Sequence, residues 1–470
     1  MTRKLIAAAL CAGISFPISA NADDLAEMKA QLNQIQRDYA ARISALEKRL
    51  AKAEADAKAA QANADAAAKS ATTATATAAT AQTKAETASM SVETAMATLQ
   101  ESLATASAPP PPPPSSNNAF NPGISAVLNG FYAASSHDTS TARIAGILLG
   151  DDTGLLPRGF SLGESEVTLA ANIDPELTAG LTFAFDSANN VGVEEAYLQT
   201  TDMPGGITLK GGRFFSGIGY LNERHAHNWI FSDQALPYRA FLNNQYGDDG
   251  LQVRWLAPTD QFLEFGAEAF RGDVYPAASA RNMGIGTYTA FVHTGNDIND
   301  SSSYLAGLSY LHSDAQNRDS GGHFFTGGTD LGIGSLVYKW APGGNPTVQN
   351  LSLTSEVFYN HQSGTYDAIA FSQNRWGWYA QGDYQFMPRW SIGLRYSALG
   401  TAKAPLALAG TELDDFGHLP SAATALLEFD SSEFGRFRLQ YTHDQADLKP
   451  NNEIMLQYTV MYGPHAAHRY

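Results

Sequence analysis

Two histidines separated by one residue stand out as side chains that can do chemistry. His225 and His227 lie in a polar segment that also contains Glu223 and Asp233. Imidazole nitrogens and carboxylate oxygens are ligands that Zn²⁺ and similar divalent metals accept in proteins. The spacing therefore predicts that His225 and His227, with Glu223 or Asp233, hold a divalent metal weakly and transiently. A solvated polar loop without metal has the same composition, and both interpretations are open at this stage.

A second set of charged residues alternates with apolar residues in short segments. An alternating segment with a polar face lines a water-filled lumen when its apolar face meets lipid. Opposite charges across a narrow lumen screen solutes by charge. Generic lumen lining and a specific solute site both remain open for each of these side chains. The predicted pore-lining residues are Glu164, Glu166, Lys210, Arg254, Glu264, Glu268, Glu356, Asp383, Arg395, Glu428 and Arg438.

The charge balance excludes one class of partner and favours another. The formal net charge is −17, and residues 120–470 carry 36 acidic against 19 basic side chains. An acidic surface of this kind disfavours nucleic-acid binding, and it predicts a preference for cations. The chain has no Gly-x-Ser-x-Gly, no His-Glu-x-x-His and no phosphate-binding glycine loop. We therefore expect no enzyme activity, and no cofactor beyond transient Zn²⁺.

The first 22 residues read as an export signal. Arg3 and Lys4 precede an apolar run from Leu5 to Ile18, and Ala20-Asn21-Ala22 resembles a cleavage site. The only cysteine, Cys11, lies inside this segment. The mature chain is therefore expected to cross into an oxidising compartment without any thiol chemistry.

Residues 23–107 are predicted to form an α-helical coiled coil in the periplasm. Apolar residues recur there at three- and four-residue intervals before an alanine- and threonine-rich stretch. A disordered low-complexity stalk is the open alternative for residues 70–89. A thin apolar seam is marginal in a lone helix, so the coil implies self-association, most simply as a homotrimer if the barrel is a porin. A periplasmic or cell-wall partner of the coil is a further expectation. Residues 108–119 form a stiff proline-rich linker.

Residues 120–470 are predicted to form an all-β transmembrane antiparallel barrel of about sixteen strands. The segment is rich in glycine and aromatic residues, and short alternating runs are separated by turn residues. In one run, Trp390, Ile392, Leu394 and Tyr396 alternate with polar or small residues. Trp376, Trp378, Tyr379 and Trp390 lie near predicted strand ends, as expected of an aromatic belt at the membrane interface.

One segment carries a family resemblance. Residues 212–227 read GRFFSGIGYLNERHAH, and residues 246–250 read YGDDG. This pattern resembles the zinc-regulated outer-membrane proteins often labelled TonB-dependent receptors. The resemblance implies a role in bringing zinc, or another scarce divalent metal, across the outer membrane. The coiled coil before a barrel is also similar to that of trimeric porins of the phosphate-selective type, although the excess of acids speaks against phosphate.

Three functional hypotheses follow from these observations. The first is a porin-like outer-membrane channel for small solutes that favours cations and is associated with zinc uptake. The second is a TonB-dependent metal receptor, and the third is a barrel that anchors an envelope-spanning coiled coil. All three place the barrel in the lipid bilayer of the outer membrane. In classical porins the third external loop, here predicted between Phe215 and Asp248, folds into the barrel and narrows it.

Overall fold

The computed structural model describes residues 123–149, 155–185, 190–278, 284–320 and 322–463. The predicted signal peptide, coiled coil and proline-rich linker lie outside these residues. They therefore stay predictions.

The described residues form one antiparallel sheet of seventeen strands. In chain order the strands are β1 (Gly123–Ser135), β2 (Gly159–Leu162), β3 (Ser165–Asn172), β4 (Leu177–Phe185), β5 (Val191–Thr200), β6 (Ile207–Phe215), β7 (Gly247–Leu256), β8 (Phe262–Phe270), β9 (Thr287–Asn299), β10 (Ser302–Ser320), β11 (His323–Trp340), β12 (Asn350–Tyr366), β13 (Ile369–Met387), β14 (Trp390–Leu399), β15 (Ser421–Ser432), β16 (Gly435–Gln445) and β17 (Asn451–Tyr462).

The sheet closes on itself into a barrel. One edge of β1 pairs with β17, with Ala126 opposite Tyr462, and the other edge pairs with β2 and β3. Because β2 and β3 share that edge of β1, they are two halves of one position in the wall. From β3 to β17 each strand pairs with the next one along the chain. The wall therefore has sixteen positions, which confirms the predicted sixteen-strand antiparallel barrel.

Side chains alternate between the outside and the lumen, as the strand period of two requires. On β14, Leu394 is 69% exposed and its neighbour Arg395 is 5% exposed. The same holds along β17, where Leu456 is exposed and Gln457 is buried. Apolar residues outside and polar residues inside are the reverse of a water-soluble protein. The predicted alternation is therefore present in the wall.

The prediction that Tyr379 belongs to the aromatic belt is wrong. Trp376 faces outward, and Trp378 packs against the exposed Tyr396. Tyr379 is fully buried instead, and its hydroxyl donates to Glu356 at 2.5 Å inside the barrel. Adjacent residues of a strand face opposite sides, so Tyr379 cannot share the outer surface with Trp378.

The connections differ between the two ends of the barrel. At one end they are short, such as residues 388–389 and 433–434, and at the other end lie residues 136–158, 216–246 and 400–420. In the structure β9 ends at Asn299 and β10 begins at Ser302, so this turn is also short.

The only α-helix of the described residues, α1 (Leu236–Leu242), lies in the segment 216–246. Pro237 fits the first turn of the helix because that turn needs no backbone N–H donor. Asn243 follows with φ of 49°, a left-handed conformation that ends the helix. Within the described residues no helix is both long and apolar enough to cross a membrane.

Candidate functional site

Residues 216–246, here called the inserted loop, connect β6 to β7. The side-chain amide of Asn222 joins the two ends of this loop. Asn222 Nδ2 donates to the carbonyl oxygens of Ser216 and Tyr246, at 2.8 Å each. Its Oδ1 accepts from the backbone N–H of Tyr246 at 2.7 Å. Because Asn222 is fully buried, these bonds form away from bulk water. They hold both ends of the loop together.

The inserted loop packs against the inner wall through apolar contacts. Leu236 and Phe241 of α1 are buried in one hydrophobic cluster with wall residues such as Phe358 and Leu399. The Tyr238 ring meets the Phe358 ring edge-on, with centroids 5.1 Å apart. An aromatic pair in this geometry adds about 0.5–1.5 kcal/mol beyond area burial. The loop therefore lies inside the lumen, as predicted.

Glu356 on β12 is the main polar anchor of the inserted loop. Its Oε1 accepts from the backbone N–H of Tyr220 at 2.7 Å, and its Oε2 accepts from the Tyr238 hydroxyl at 2.8 Å. The Tyr379 hydroxyl of β13 donates to the same Oε2. Gly219, with φ of +67°, lies so close that a Cβ there would be 2.9 Å from Glu356 Oε1. Only glycine fits this backbone position easily.

Two buried arginines tie the inserted loop to other parts of the barrel. Arg395 on β14 donates to Asp233 Oδ1 at 2.6 Å, and to the Asp233 carbonyl. Arg239 of α1 donates to Asp444 on β16 at 3.0 Å. These arginines therefore face carboxylates, which offset their charge inside the barrel.

His225 and His227 meet a group of wall carboxylates. His225 Nδ1 lies 3.0 Å from Glu166 Oε2 and 3.0 Å from Glu194 Oε2, and its Nε2 lies 3.0 Å from Glu195 Oε2. His227 Nδ1 lies 2.8 Å from Glu166 Oε1. We call these five residues and Glu164, which lies beside Glu166 and Glu194, the histidine–carboxylate cluster.

A β-bulge explains how two successive glutamates reach one histidine. In a regular strand Glu194 and Glu195 would point to opposite faces. Thr182 of β4 pairs with Glu195, and Phe183 pairs with Val193, so Glu194 is an extra residue in β5. Bulges of this kind redirect side chains near functional sites.

The cluster favours the protonated form of His225. Burial alone would lower the pKa of this imidazole. Hydrogen bonds to Glu166, Glu194 and Glu195 outweigh burial and raise the pKa of His225 well above its usual value. In this state the charged imidazole holds the inserted loop against β3 and β5.

The structure separates the other two predicted metal ligands from the histidines. Glu223 forms an ion pair with Arg254 on β7. Asp233 accepts from Arg395 and from Gln440 Nε2. The predicted combination of His225 and His227 with Glu223 or Asp233 is therefore corrected. The acidic partners come from the wall, because the loop folds inward onto β3 and β5.

Of the eleven predicted pore-lining residues, six are buried and the other five are half-buried. Several are paired: Arg438 donates to Glu428 at 2.7 Å, and His293 lies 3.3 Å from Glu264. Glu268 accepts from the backbone N–H of Gly217 at 2.9 Å. Whether they line a conducting path stays a prediction. The full set is Glu164, Glu166, Lys210, Arg254, Glu264, Glu268, Glu356, Asp383, Arg395, Glu428 and Arg438.

Sequence reasoning missed Glu194 and Glu195. Two adjacent carboxylates inside an otherwise apolar strand break the alternation, and that break was the available signal of a bulge. A cavity of about 510 Å³ borders the cluster between the inserted loop and the wall, lined by Glu164, Glu194 and Trp229 among others. The cluster is therefore next to open space.

Solved structures and a curated protein resemble this chain. No family model matches the chain. Among solved structures, the chain is similar to the loop L8 deletion mutant of OmpT from Vibrio cholerae, with 11% identity, a TM-score of 0.48, and coverage of 73% of this chain and 100% of that chain. The outer membrane channel DcaP of Acinetobacter baumannii gives 12% identity, a TM-score of 0.48, and coverage of 73% and 97%.

One curated relative is closer in sequence. An uncharacterized protein of Aquifex aeolicus (strain VF5) is 30% identical over 341 residues, which cover 66% of this chain and 70% of the relative. The chain therefore belongs to the same family as this uncharacterized Aquifex aeolicus protein.

Proposed function

We propose that this chain is a porin-like outer-membrane channel for small solutes, that it favours cations, and that it takes part in divalent-metal uptake. The observation that carries the proposal is the closed sixteen-position barrel, apolar outside and polar inside, with the inserted loop across its lumen. A closed barrel satisfies every backbone hydrogen bond within the bilayer, as a membrane-spanning sheet must.

The distribution of buried charge supports the cation preference. The arginines Arg395 and Arg438 are paired with Asp233 and Glu428. The histidine–carboxylate cluster instead gathers four carboxylates around two imidazoles. Excess negative charge beside a narrow path raises the local concentration of cations. The acid excess of residues 120–470 acts in the same direction.

Divalent metals are the solute class that the sequence resemblance favours. The segment carrying that resemblance, residues 212–227, contains the start of the inserted loop and both histidines of the cluster. The proposed route therefore passes a group of ligands that borderline metals accept.

The receptor hypothesis finds less support. Energised outer-membrane transporters have 22 strands around a plug, whereas the described wall has sixteen positions. The anchor hypothesis depends on residues 23–107, which lie outside the described residues. Neither alternative is favoured by a specific feature of the barrel.

Reversal potentials in a KCl gradient test the proposed selectivity. The folded protein is inserted in a planar bilayer, and the sign of the potential at zero current is read. We expect the sign of a cation-selective pore. The opposite sign would mean that Arg395 and Arg438 control the field, and it would overturn the cation preference.

A further inference from the structure

The histidine–carboxylate cluster has the composition of a metal site. Glu166, His225 and His227 each offer one ligand atom, and these three atoms lie within 4.8 Å of one another. Glu164, Glu166 and Glu194 satisfy the same criterion, so Glu166 is shared by both groups. Nitrogen and carboxylate donors together suit Zn²⁺ and its neighbours in the first transition row.

The spacing of the ligand atoms is close to what a bound metal needs. Ligands about 2.0–2.1 Å from a tetrahedral metal lie about 3.3 Å from one another. The nitrogen–oxygen separations around His225 and His227 are 2.8–3.0 Å. Small outward shifts of the carboxylates would therefore admit a metal between them.

The charge of the cluster also calls for a cation. Four carboxyl groups face two imidazoles, so acidic side chains outnumber basic ones in the cluster. The positive charge of Lys210 interacts electrostatically with Glu195 and offsets one of these acidic groups. A buried group with net negative charge must take up protons or bind a cation.

One carboxylate oxygen provides a further sign. Glu164 Oε1 is shielded from solvent and accepts no hydrogen bond from an N–H or hydroxyl group of the described residues, and the Glu164 carboxyl group faces that of Glu194. A buried acceptor left in this way costs about 1–3 kcal/mol. Glu164 also borders the cavity of about 510 Å³ next to the inserted loop, which gives an ion access to the cluster.

We propose that Glu166, Glu194, His225 and His227 bind one divalent cation of the Zn²⁺ class, with Glu164 as an additional acidic neighbour. The cation links the inserted loop to β3 and β5 and replaces the histidine–carboxylate hydrogen bonds at that position. The inference deepens the proposed function. It rests on that function only for the route by which the ion reaches the cluster.

Calorimetric titration with ZnCl₂ tests this site on the intact folded protein in detergent, after treatment with a chelator. We expect one Zn²⁺ per chain in the wild type, and affinity about tenfold weaker or more in Glu166→Gln. His293→Ala is the matched control, because the side chains of His293 and His225 are both 14% exposed and His293 pairs with a single carboxylate, Glu264. The control is expected to bind Zn²⁺ as the wild type does.

A second variant and a second probe keep the test decisive. If Glu166→Gln does not fold, Glu194→Gln removes a ligand at the bulge with less loss of contact. Co²⁺ bound at the site gives a visible absorption spectrum, which these variants should weaken and His293→Ala should not. Absence of binding, or equal binding in all variants, would overturn the proposed metal site. The cluster would then serve only as ion pairs that hold the inserted loop against the wall.

The outcome separates this inference from the proposed function. Zn²⁺ binding without any conductance would support the site and contradict the channel. Conductance without Zn²⁺ binding would support the channel and contradict the site.

Discussion

Replacing Glu356 with glutamine should loosen the inserted loop. Glu356 accepts two hydrogen bonds from the loop, donated by the Tyr220 N–H and the Tyr238 hydroxyl. Glutamine retains only one acceptor oxygen, so one of these two contacts is lost, and a hydrogen bond to a charged group contributes about 1.5–3 kcal/mol. The attachment of the loop should therefore be weakened by about 1.5–3 kcal/mol in Glu356→Gln. This loss raises the population of the open loop by roughly ten- to hundredfold.

A single thiol can report the opening of the loop. Cys11 is the only cysteine of the chain and lies in the predicted signal peptide. Ala240 in α1 is fully buried, so Ala240→Cys places one protected thiol on the packed face of the loop. We expect maleimide to label this thiol roughly ten- to hundredfold faster when Glu356→Gln is added.

The control is a carboxylate with similar bonds but no contact to the loop. Asp330 accepts from the Tyr310 hydroxyl at 2.5 Å and from His312 Nδ1 at 2.8 Å, and both partners lie on β10. Asp330→Asn should leave the labelling rate of the thiol unchanged. Equal labelling of the Glu356→Gln variant and its parent would refute the anchoring role of Glu356.

Three further predictions concern the loop, the metal and the assembly. Gly219→Ala should open the loop in the same labelling assay, because its Cβ would meet the Tyr238 hydroxyl at 2.5 Å, whereas Gly332→Ala has open space and should not. Alanine at both His225 and His227 should relieve Zn²⁺ block of the monovalent current, and unchanged block would remove the metal from the conduction path. The intact protein should run on gels as a heat-modifiable trimer that deletion of residues 23–107 weakens, and crosslinking that yields only monomer would contradict this.

The wall of the barrel could be predicted from the sequence because alternation is a local signal. The pattern of residues 191–200 predicts a strand with the bounds of β5, and the predicted number of about sixteen strands matches the sixteen positions of the wall. The pattern of residues 304–312 predicts a strand that ends at His312, whereas β10 continues to Ser320. Beyond His312 the outward residues become polar, so the contrast that marks a lipid-facing strand disappears.

The site was harder to predict because its contacts are distant in the chain. His225 was identified as a candidate ligand, but its contact with Glu166 depends on the path of the inserted loop through the lumen. The contribution of Glu194 depends on the extra residue in β5 opposite Thr182 and Phe183. Residue type therefore indicated the chemistry, whereas the identity of the acidic partners required the three-dimensional arrangement.

Single-channel recording in planar bilayers is the most direct test of the channel proposal. Purified protein, shown to be folded by its heat-modifiable migration on gels, is added to one side of the bilayer under an applied voltage. The account predicts discrete, reproducible steps of conductance as individual proteins insert. Folded protein that inserts into the bilayer and produces no conductance steps would contradict the account.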